Sequence, residues 1–203
     1  MRLYITSTSP YARMVQIVIL EKGMSEIEII KAETRQASSP YYRINPSGRV
    51  PYLISDQGIA LEESQLICAY LDHLDGSPRF DHPSGSIGWE SRRLEALARS
   101  LLDGLSVWGR ELRRPANEQS PTIIEHERQR SRRLADRWES EIRNPLMNDQ
   151  LDMAQITLVC ALQLERRNPD FEWRRGRPIL SEWTDRISER ASIADTLPPM
   201  AQC

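Results

Sequence analysis

The stretch TSTSPYARMVQIVILEKG, residues 6–23, joins a short apolar strand, Leu3–Ile5, to an apolar helix. Ser9 followed by Pro10 predicts the start of this helix. Serine is a preferred N-cap, and proline fits the first helical position, where its missing N–H costs nothing. Gly23 suits the helix end, because glycine adopts the left-handed backbone that commonly terminates helices.

The hydroxyl residues 6–9 at this junction have two interpretations. In the structural one, the Ser9 oxygen caps the helix by accepting a hydrogen bond from a free N–H of the first turn. In the functional one, the helix N-terminus is an anion site, because its free N–H groups and its dipole favour negative charge. The junction alone leaves both interpretations open.

Composition limits the classes of function. The chain has 203 residues, of which 39% are hydrophobic, enough for one large or two small domains. It contains neither an apolar run of about 20 residues nor a secretion signal, so we expect no membrane partner. A net charge of −2 argues against a general nucleic-acid binder. Cys68, Cys160 and Cys203 lack metal or redox spacing, and unpaired thiols fit a cytoplasmic protein without a metal.

Residues 1–76 alternate strands and helices. EIEIIKA, residues 26–32, predicts a second strand, and a short helix follows before Asn45. VPYLIS and IALEES flank a DQG turn and predict a β-hairpin, and SQLICAYLDHL has the apolar spacing of a helix. The order β-α-β-α-β-β-α predicts a small α/β domain.

Residues 77–86 are rich in Gly, Pro and Ser and predict a linker, and residues 87–203 predict an all-α domain. Asp152 and Gln155 have the spacing of a capping box at the start of a helix that is apolar on all sides. Such a helix is expected at the buried centre of the bundle. The predicted helices are the Leu94–Leu112 segment, 122–143, 152–167 and 178–190.

Three segments resemble those of a known family. TSPYARMVQIVILEKG resembles its first strand–helix junction, NPSGRVPYL the segment with a Val–cis-Pro step, and LEESQLICAYL the segment that binds the γ-glutamyl end of glutathione. With the order of elements, they resemble the cytosolic-type bacterial glutathione S-transferases, in particular a subgroup with Ser-Pro at the start of the first helix. The resemblance implies a thioredoxin-like N-terminal domain followed by an all-α helical bundle.

The resemblance also implies an activity. The protein would be a glutathione transferase, with glutathione as co-substrate, that activates the glutathione thiolate for attack on a small hydrophobic electrophile. It would be a homodimer that acts in detoxification. The alternative is a non-catalytic glutathione- or protein-binding module of the same fold, because fold does not establish function.

The family pattern assigns roles to individual residues. Ser9 would donate a hydrogen bond to the thiolate, and a cis Val50–Pro51 step would present its backbone to the glutathione peptide. Glu63 and Ser64 would bind the γ-glutamyl ammonium and carboxylate. Other roles are less specific: the residues expected in the electrophile pocket are Tyr11 and Trp108, and those that remain alternatives to Ser9 are Ser7 and Tyr4.

The sequence departs from the family in two respects. Asp152 and Gln155 stand where many members have Ser or Thr followed three residues later by Asp. Asp152 can still cap the helix, so the expected fold is unchanged. A serine at position 9 cannot form a mixed disulfide, so glutaredoxin-like reduction is disfavoured. The sequence does not identify the electrophile.

Overall fold

The computed structural model describes residues 1–80 and 85–200 and consists of two compact units, which divide between residues 81 and 82. The first unit has the predicted order of elements, including a short 3-10 helix in the second helical position. Its elements are β1 (Arg2–Ile5), α1 (Pro10–Glu21), β2 (Glu28–Lys31), the 3-10 helix Pro40–Arg43, β3 (Tyr52–Ile54), β4 (Ala60–Glu62) and α2 (Ser64–His73).

The four strands form one mixed sheet in the order β2-β1-β3-β4. β1 runs parallel to β2 and antiparallel to β3, and the predicted hairpin of β3 and β4 is confirmed. Tyr4, Tyr52 and Glu62 lie side by side in register. The last residues of β1 and β4 therefore reach the same end of the sheet as the first residue of β3.

Helix α1 forms where the sequence predicts it. Residues 12–15 and 17–19 of this helix are buried, with Met14, Val15 and Ile17 at 0% exposure. The helix ends at Glu21, and Gly23 follows with φ +65°, a backbone conformation that glycine adopts without steric cost.

Lys22 connects the end of α1 to the end of α2. Its ammonium donates hydrogen bonds to the Asp75 carboxylate at 2.8 Å and to the carbonyl oxygens of Asp72 and Ser77 at 2.9 and 2.8 Å. The Lys22 side chain is 1% exposed, whereas that of Asp75 is 49% exposed, so the ammonium is shielded from solvent and its acid partner is not. These hydrogen bonds join the C-terminal end of α1 to the C-terminal end of α2.

The second unit is helical. Ala154 to Leu162 are all buried, which confirms the prediction that this helix is the centre of the bundle. The predicted helix 152–167 changes to a 3-10 turn after Leu162. The elements are α3 (Ser86–Glu111), α4 (Pro121–Glu141), α5 (Met153–Leu162), α6 (Pro178–Ser188) and α7 (Ala191–Ala194), with 3-10 segments at Ala116–Glu118, Pro145–Asn148 and Gln163–Arg166.

Asp152 caps α5 as predicted. Its carboxylate accepts hydrogen bonds from the Gln155 N–H at 2.9 Å and from the Ser91 hydroxyl at 3.0 Å. The Gln155 side-chain amide, however, donates to the carbonyl oxygens of Leu146 and Gln150. The glutamine therefore ties the preceding loop to the helix.

Several sequence-based predictions concern thiols, metals, membranes and the linker. Cys68 and Cys160 are buried, as predicted, whereas Cys203 lies outside the described residues. In the part of the chain that the structure describes, no cluster of His, Cys, Asp and Glu could hold a metal, and no helix is long and apolar enough to cross a membrane. Of the linker predicted at 77–86, residues 81–84 lie outside the described residues, and α3 begins at Ser86.

Candidate functional site

Most of the predicted site residues lie at one end of the sheet of the first unit. Ser9 belongs to the turn that follows β1, and Val50 and Pro51 directly precede β3. Glu63 and Ser64 directly follow β4. Because the strand register aligns these three strand ends, the fold brings together segments that are far apart in the sequence.

Ser9 is the N-cap of α1. Its Oγ accepts a hydrogen bond from the Ala12 N–H at 3.2 Å, which confirms the structural interpretation of the hydroxyl. Because the oxygen accepts this bond through a lone pair, its own hydrogen can be donated to another acceptor. The cap and an anion site are therefore compatible at the same residue.

The Val50–Pro51 peptide bond is cis, as predicted. Within residues 1–80 and 85–200, the N–H and carbonyl of Val50 enter no backbone hydrogen bond. This short length of backbone lies beside the first residue of β3 and can pair with an extended peptide.

The loop before Val50 is fixed by two side chains that the sequence analysis did not identify. The Tyr41 hydroxyl and the Asn45 side-chain amide donate hydrogen bonds to the Arg49 carbonyl at 2.5 and 3.0 Å. Burial raises the pKa of Tyr41, so the hydroxyl stays protonated and remains a donor at neutral pH. Asparagine is common in turns, so Asn45 is the one residue of this contact that the sequence pattern could have indicated.

Gly48 and Ser47 hold the turn against the sheet. Gly48 has φ +64°, and a Cβ there would lie 2.6 Å from Cε1 of Tyr42, so only glycine fits. The Ser47 hydroxyl donates to the Glu62 carboxylate at 2.5 Å. The turn is thereby joined to β4, immediately before Glu63.

Glu63 and Ser64 form the start of α2. Ser64 is 1% exposed, and its hydroxyl donates to the Glu63 carboxylate at 3.2 Å. Glu63 has φ +79° and ψ +120°, a conformation that a residue with a side chain rarely adopts. Backbone strain of this kind is concentrated at functional sites, so it marks this pair as a candidate binding position.

The other candidates in the first unit have different surroundings. Tyr4 is 5% exposed and packs against the rings of Tyr41 and Tyr52, at centroid distances of 5.6 and 6.3 Å. Ser7 is exposed in the turn after β1, and Tyr11 is half-buried in the first turn of α1. Tyr4 thus contributes to the core, whereas Ser7 and Tyr11 lie near the helix start.

Trp108 belongs to the second unit. It is fully buried in α3, and the Arg128 guanidinium lies 5.8 Å from the centroid of its ring. Its predicted place in an electrophile pocket with Tyr11 stays a prediction.

Two helices begin at this end of the sheet, α1 after β1 and α2 after β4. Each helix N-terminus carries the positive end of a helix dipole, which favours a negative charge. A hydroxyl lies at each, that of Ser9 and that of Ser64. The arrangement can stabilise two anionic groups on one ligand, with the Val50 backbone available to a peptide.

Comparison with known proteins agrees with this architecture. A family profile described as the N-terminal domain of glutathione S-transferase matches residues 3–79. The uncharacterized GST-like protein YibF of Escherichia coli K12 is 30% identical over 203 residues, which cover 99% of this chain and 100% of the relative.

Solved structures are similar over nearly the whole chain. A glutathione transferase family member from Pseudomonas fluorescens Pf-5, with bound glutathione, is 31% identical with a TM-score of 0.88, over 98% of this chain and 99% of the other. A glutathione S-transferase from Methylobacillus flagellatus KT, with glutathione bound, is 30% identical with a TM-score of 0.87, over 97% and 98%.

The fold therefore defines a protein with a thioredoxin-like unit followed by a helical region. On the full-length similarity to YibF, the chain belongs to the glutathione S-transferase family.

Proposed function

We propose that this protein is a glutathione transferase, which binds glutathione at the sheet end and activates its thiol for attack on a small hydrophobic electrophile. The observation that carries the proposal is the convergence of two helix N-termini and the Val50 backbone at one end of the sheet. The bound glutathione in two relatives of about 30% identity supports the same ligand.

Each part of glutathione has a partner in this arrangement. The γ-glutamyl carboxylate binds the N-terminus of α2 and replaces the Glu63 carboxylate as the acceptor of the Ser64 hydroxyl hydrogen, and the ammonium binds Glu63. The cysteinyl backbone pairs with the N–H and carbonyl of Val50. The thiol then lies toward the start of α1, near Ser9.

Ser9 favours the thiolate over the thiol. A thiol pKa of about 8.5 leaves little thiolate at pH 7. A hydrogen bond donated by Ser9 and the positive end of α1 both stabilise the sulfur anion, which lowers its pKa. The thiol proton is released to solvent, and Ser9 keeps its own proton throughout.

The reaction is a nucleophilic attack by the bound sulfur. A carbon–sulfur bond forms, and the electron pair of the bond broken at carbon leaves with the departing group. Tyr11 and Trp108 are proposed to contact the electrophile, whose identity the structure leaves open. Detoxification in the cytoplasm is the proposed role.

Calorimetric titration with glutathione and a conjugation assay with an activated chloronitroarene test the proposal. We expect binding at millimolar glutathione or below, and turnover that requires the protein. Binding without turnover would favour a non-catalytic glutathione-binding module, and no binding would favour a protein-binding module.

We also propose a homodimer, which rests on the family. Sedimentation equilibrium is expected to give twice the chain mass of 23.5 kDa. A stable species of 23.5 kDa at micromolar concentration would contradict it.

A further inference from the structure

The segment 47–52, which contains the cis Val50–Pro51 step, is attached to one residue of β4 at both of its ends. At its beginning, the Ser47 hydroxyl donates a hydrogen bond to the Glu62 carboxylate at 2.5 Å. At its end, Tyr52 is the strand partner of Glu62 in the pairing of β3 with β4. Glu62 therefore holds both ends of the stretch whose middle is proposed to pair with the glutathione backbone.

Ser47 extends this attachment to the residue before Val50. Its Oγ also accepts a hydrogen bond from the Arg49 N–H at 3.2 Å. A hydroxyl has one hydrogen and two lone pairs, so it can donate to Glu62 and accept from Arg49 at the same time. The position of the Val50 backbone thus depends on where the Glu62 carboxylate lies.

On its other side, Glu62 is followed by the strained residue of the site. Glu63 has φ +79° and ψ +120°, and its carboxylate accepts a hydrogen bond from the Ser64 hydroxyl at 3.2 Å. A residue keeps such a conformation only where the surrounding structure determines it. The Ser64 bond holds Glu63 from the side of the helix, and the two attachments of Glu62 hold it from the side of the strand.

The side chain of Glu62 is exposed, so its removal leaves the hydrophobic core intact. Within residues 1–80 and 85–200, the Ser47 hydroxyl is the one hydrogen-bond partner of the Glu62 carboxylate. The contact between these two side chains therefore acts on the geometry of the site, where the turn before Val50 meets the end of β4.

We propose that Glu62 is a positioning residue for glutathione, which couples the part of the site for the cysteinyl backbone to the part for the γ-glutamyl end. This inference rests on the proposed function. A ligand that spans both parts binds more tightly when their separation is fixed beforehand, because less conformational freedom is lost on binding. Glu62 itself contacts no atom of the ligand, and the chemistry at the sulfur does not depend on it.

A double-mutant cycle in the full chain, measured by calorimetric titration with glutathione, tests the coupling. Ser47→Ala and Glu62→Ala are each expected to weaken binding by roughly threefold to tenfold, the effect of one lost hydrogen bond. The double variant should bind no more weakly than Ser47→Ala, because the second substitution has no bond left to remove. Ser47→Thr keeps the hydroxyl and should bind glutathione like the wild type.

Ser55→Ala is the matched control for stability. The Ser55 Oγ accepts a hydrogen bond from the Ile59 N–H at 3.0 Å, in the turn at the opposite end of the same hairpin. The variant should lose stability in urea much as Glu62→Ala does, and keep its glutathione affinity. With an activated chloronitroarene and saturating glutathione, Glu62→Ala should keep the wild-type rate, and a lower rate would contradict a role confined to positioning.

The outcomes separate this inference from the proposed function. No binding of glutathione to the wild type would overturn both. Wild-type binding with unchanged affinity in Ser47→Ala and Glu62→Ala would overturn the coupling alone. A loss in only one of these variants, losses that multiply in the double variant, or an equal loss in Ser55→Ala would also overturn it, because each of these results removes the Ser47–Glu62 bond as the cause.

Discussion

The Tyr41 hydroxyl donates a hydrogen bond of 2.5 Å to the carbonyl of Arg49, the residue before Val50. Tyr41 is 4% exposed and follows directly after Pro40, the first residue of a 3-10 helix capped by Ser39. The buried Tyr41 side chain thus fixes the backbone just before Val50, which is proposed to pair with the glutathione peptide. Tyr41 and Arg49 nevertheless lie in different segments of the loop.

Tyr41→Phe is expected to lower the stability of the fold by about 1 kcal/mol. The bond to the Arg49 carbonyl and a long one of 3.4 Å accepted from the Asn45 amide are lost, while Asn45 still binds the same carbonyl. The substitution should also weaken glutathione binding, since the Val50 backbone is held less firmly. Urea denaturation and calorimetry measure the two effects. Tyr70→Phe, a half-buried tyrosine on α2, is the control. Unchanged glutathione affinity in Tyr41→Phe would separate this contact from the site.

The contacts of Tyr41 also show where prediction from the sequence ends. Helix α1 was predicted because its signals are local: a capping serine, a proline and an apolar face. Helix α5 was predicted because every face is apolar. The Tyr41–Arg49 contact and the φ of Glu63 leave no periodic signal, because tertiary packing determines them. The four-residue helix Ala191–Ala194 is too short to show a period.

Ser64→Ala is expected to weaken glutathione binding by roughly tenfold to a hundredfold, because a charged hydrogen bond contributes about 1.5–3 kcal/mol. The rate of the bound complex should change little, since Ser64 acts on the γ-glutamyl end and not on the sulfur. Titration calorimetry and saturation kinetics measure both quantities, with Ser38→Ala, an exposed serine, as control. An unchanged dissociation constant would show that the γ-glutamyl end binds elsewhere.

Two glycines of α3 give a matched test of packing. A Cβ at Gly104 would lie 2.6 Å from the Glu127 carboxylate, which is buried, whereas at Gly109 it would meet only Nη1 of Arg113 at 3.7 Å. Gly109→Ala is expected to stabilise the helix by up to about 1 kcal/mol through helix propensity. Gly104→Ala should lose that gain or more, because Glu127 has to move. Equal stabilities in urea would indicate that the carboxylate moves without cost.

The acid stability of the second unit depends in part on Arg93. It donates hydrogen bonds to Glu90 and Glu141, and these bonds lower the pKa of both carboxyls. A carboxyl with a lowered folded pKa adds stability above its unfolded pKa of about 4.3 and loses it as the pH falls through the folded pKa.

Arg93→Gln is therefore expected to destabilise the protein at pH 7 by roughly 0.5–1 kcal/mol, a small effect because Arg93 and Glu90 are partly exposed to solvent. The difference from the wild type should shrink below about pH 4 as both glutamates become protonated. Thermal unfolding between these pH values measures it, with the exposed Arg143→Gln as control. A difference that stays constant with pH would show that Arg93 acts through packing alone.

Ser9→Ala distinguishes a cap from a thiol-activating group. If Ser9 acts only through its bond with the Ala12 N–H, the variant loses about 1 kcal/mol of stability and keeps its rate of conjugation. If Ser9 also donates to the bound sulfur, the pKa of glutathione in the complex rises, and the rate near neutral pH is expected to fall by about tenfold or more. Each pKa unit corresponds to about 1.36 kcal/mol and a tenfold change in the thiolate fraction.

The pH dependence of the rate loss in Ser9→Ala shows whether the pKa of the bound thiol is raised. A raised thiol pKa reduces the thiolate fraction most at pH values below it, so the loss should shrink as the pH approaches about 9, where thiolate forms unaided. The measurement is the pH–rate profile of the wild type, Ser9→Ala and Ser9→Thr, which keeps the hydroxyl, with an activated chloronitroarene and saturating glutathione. Ser9→Thr is expected to retain most of the activity. Superimposable profiles for all three proteins would leave Ser9 as a structural cap, and the same comparison would then be made with Ser7→Ala and Tyr4→Phe.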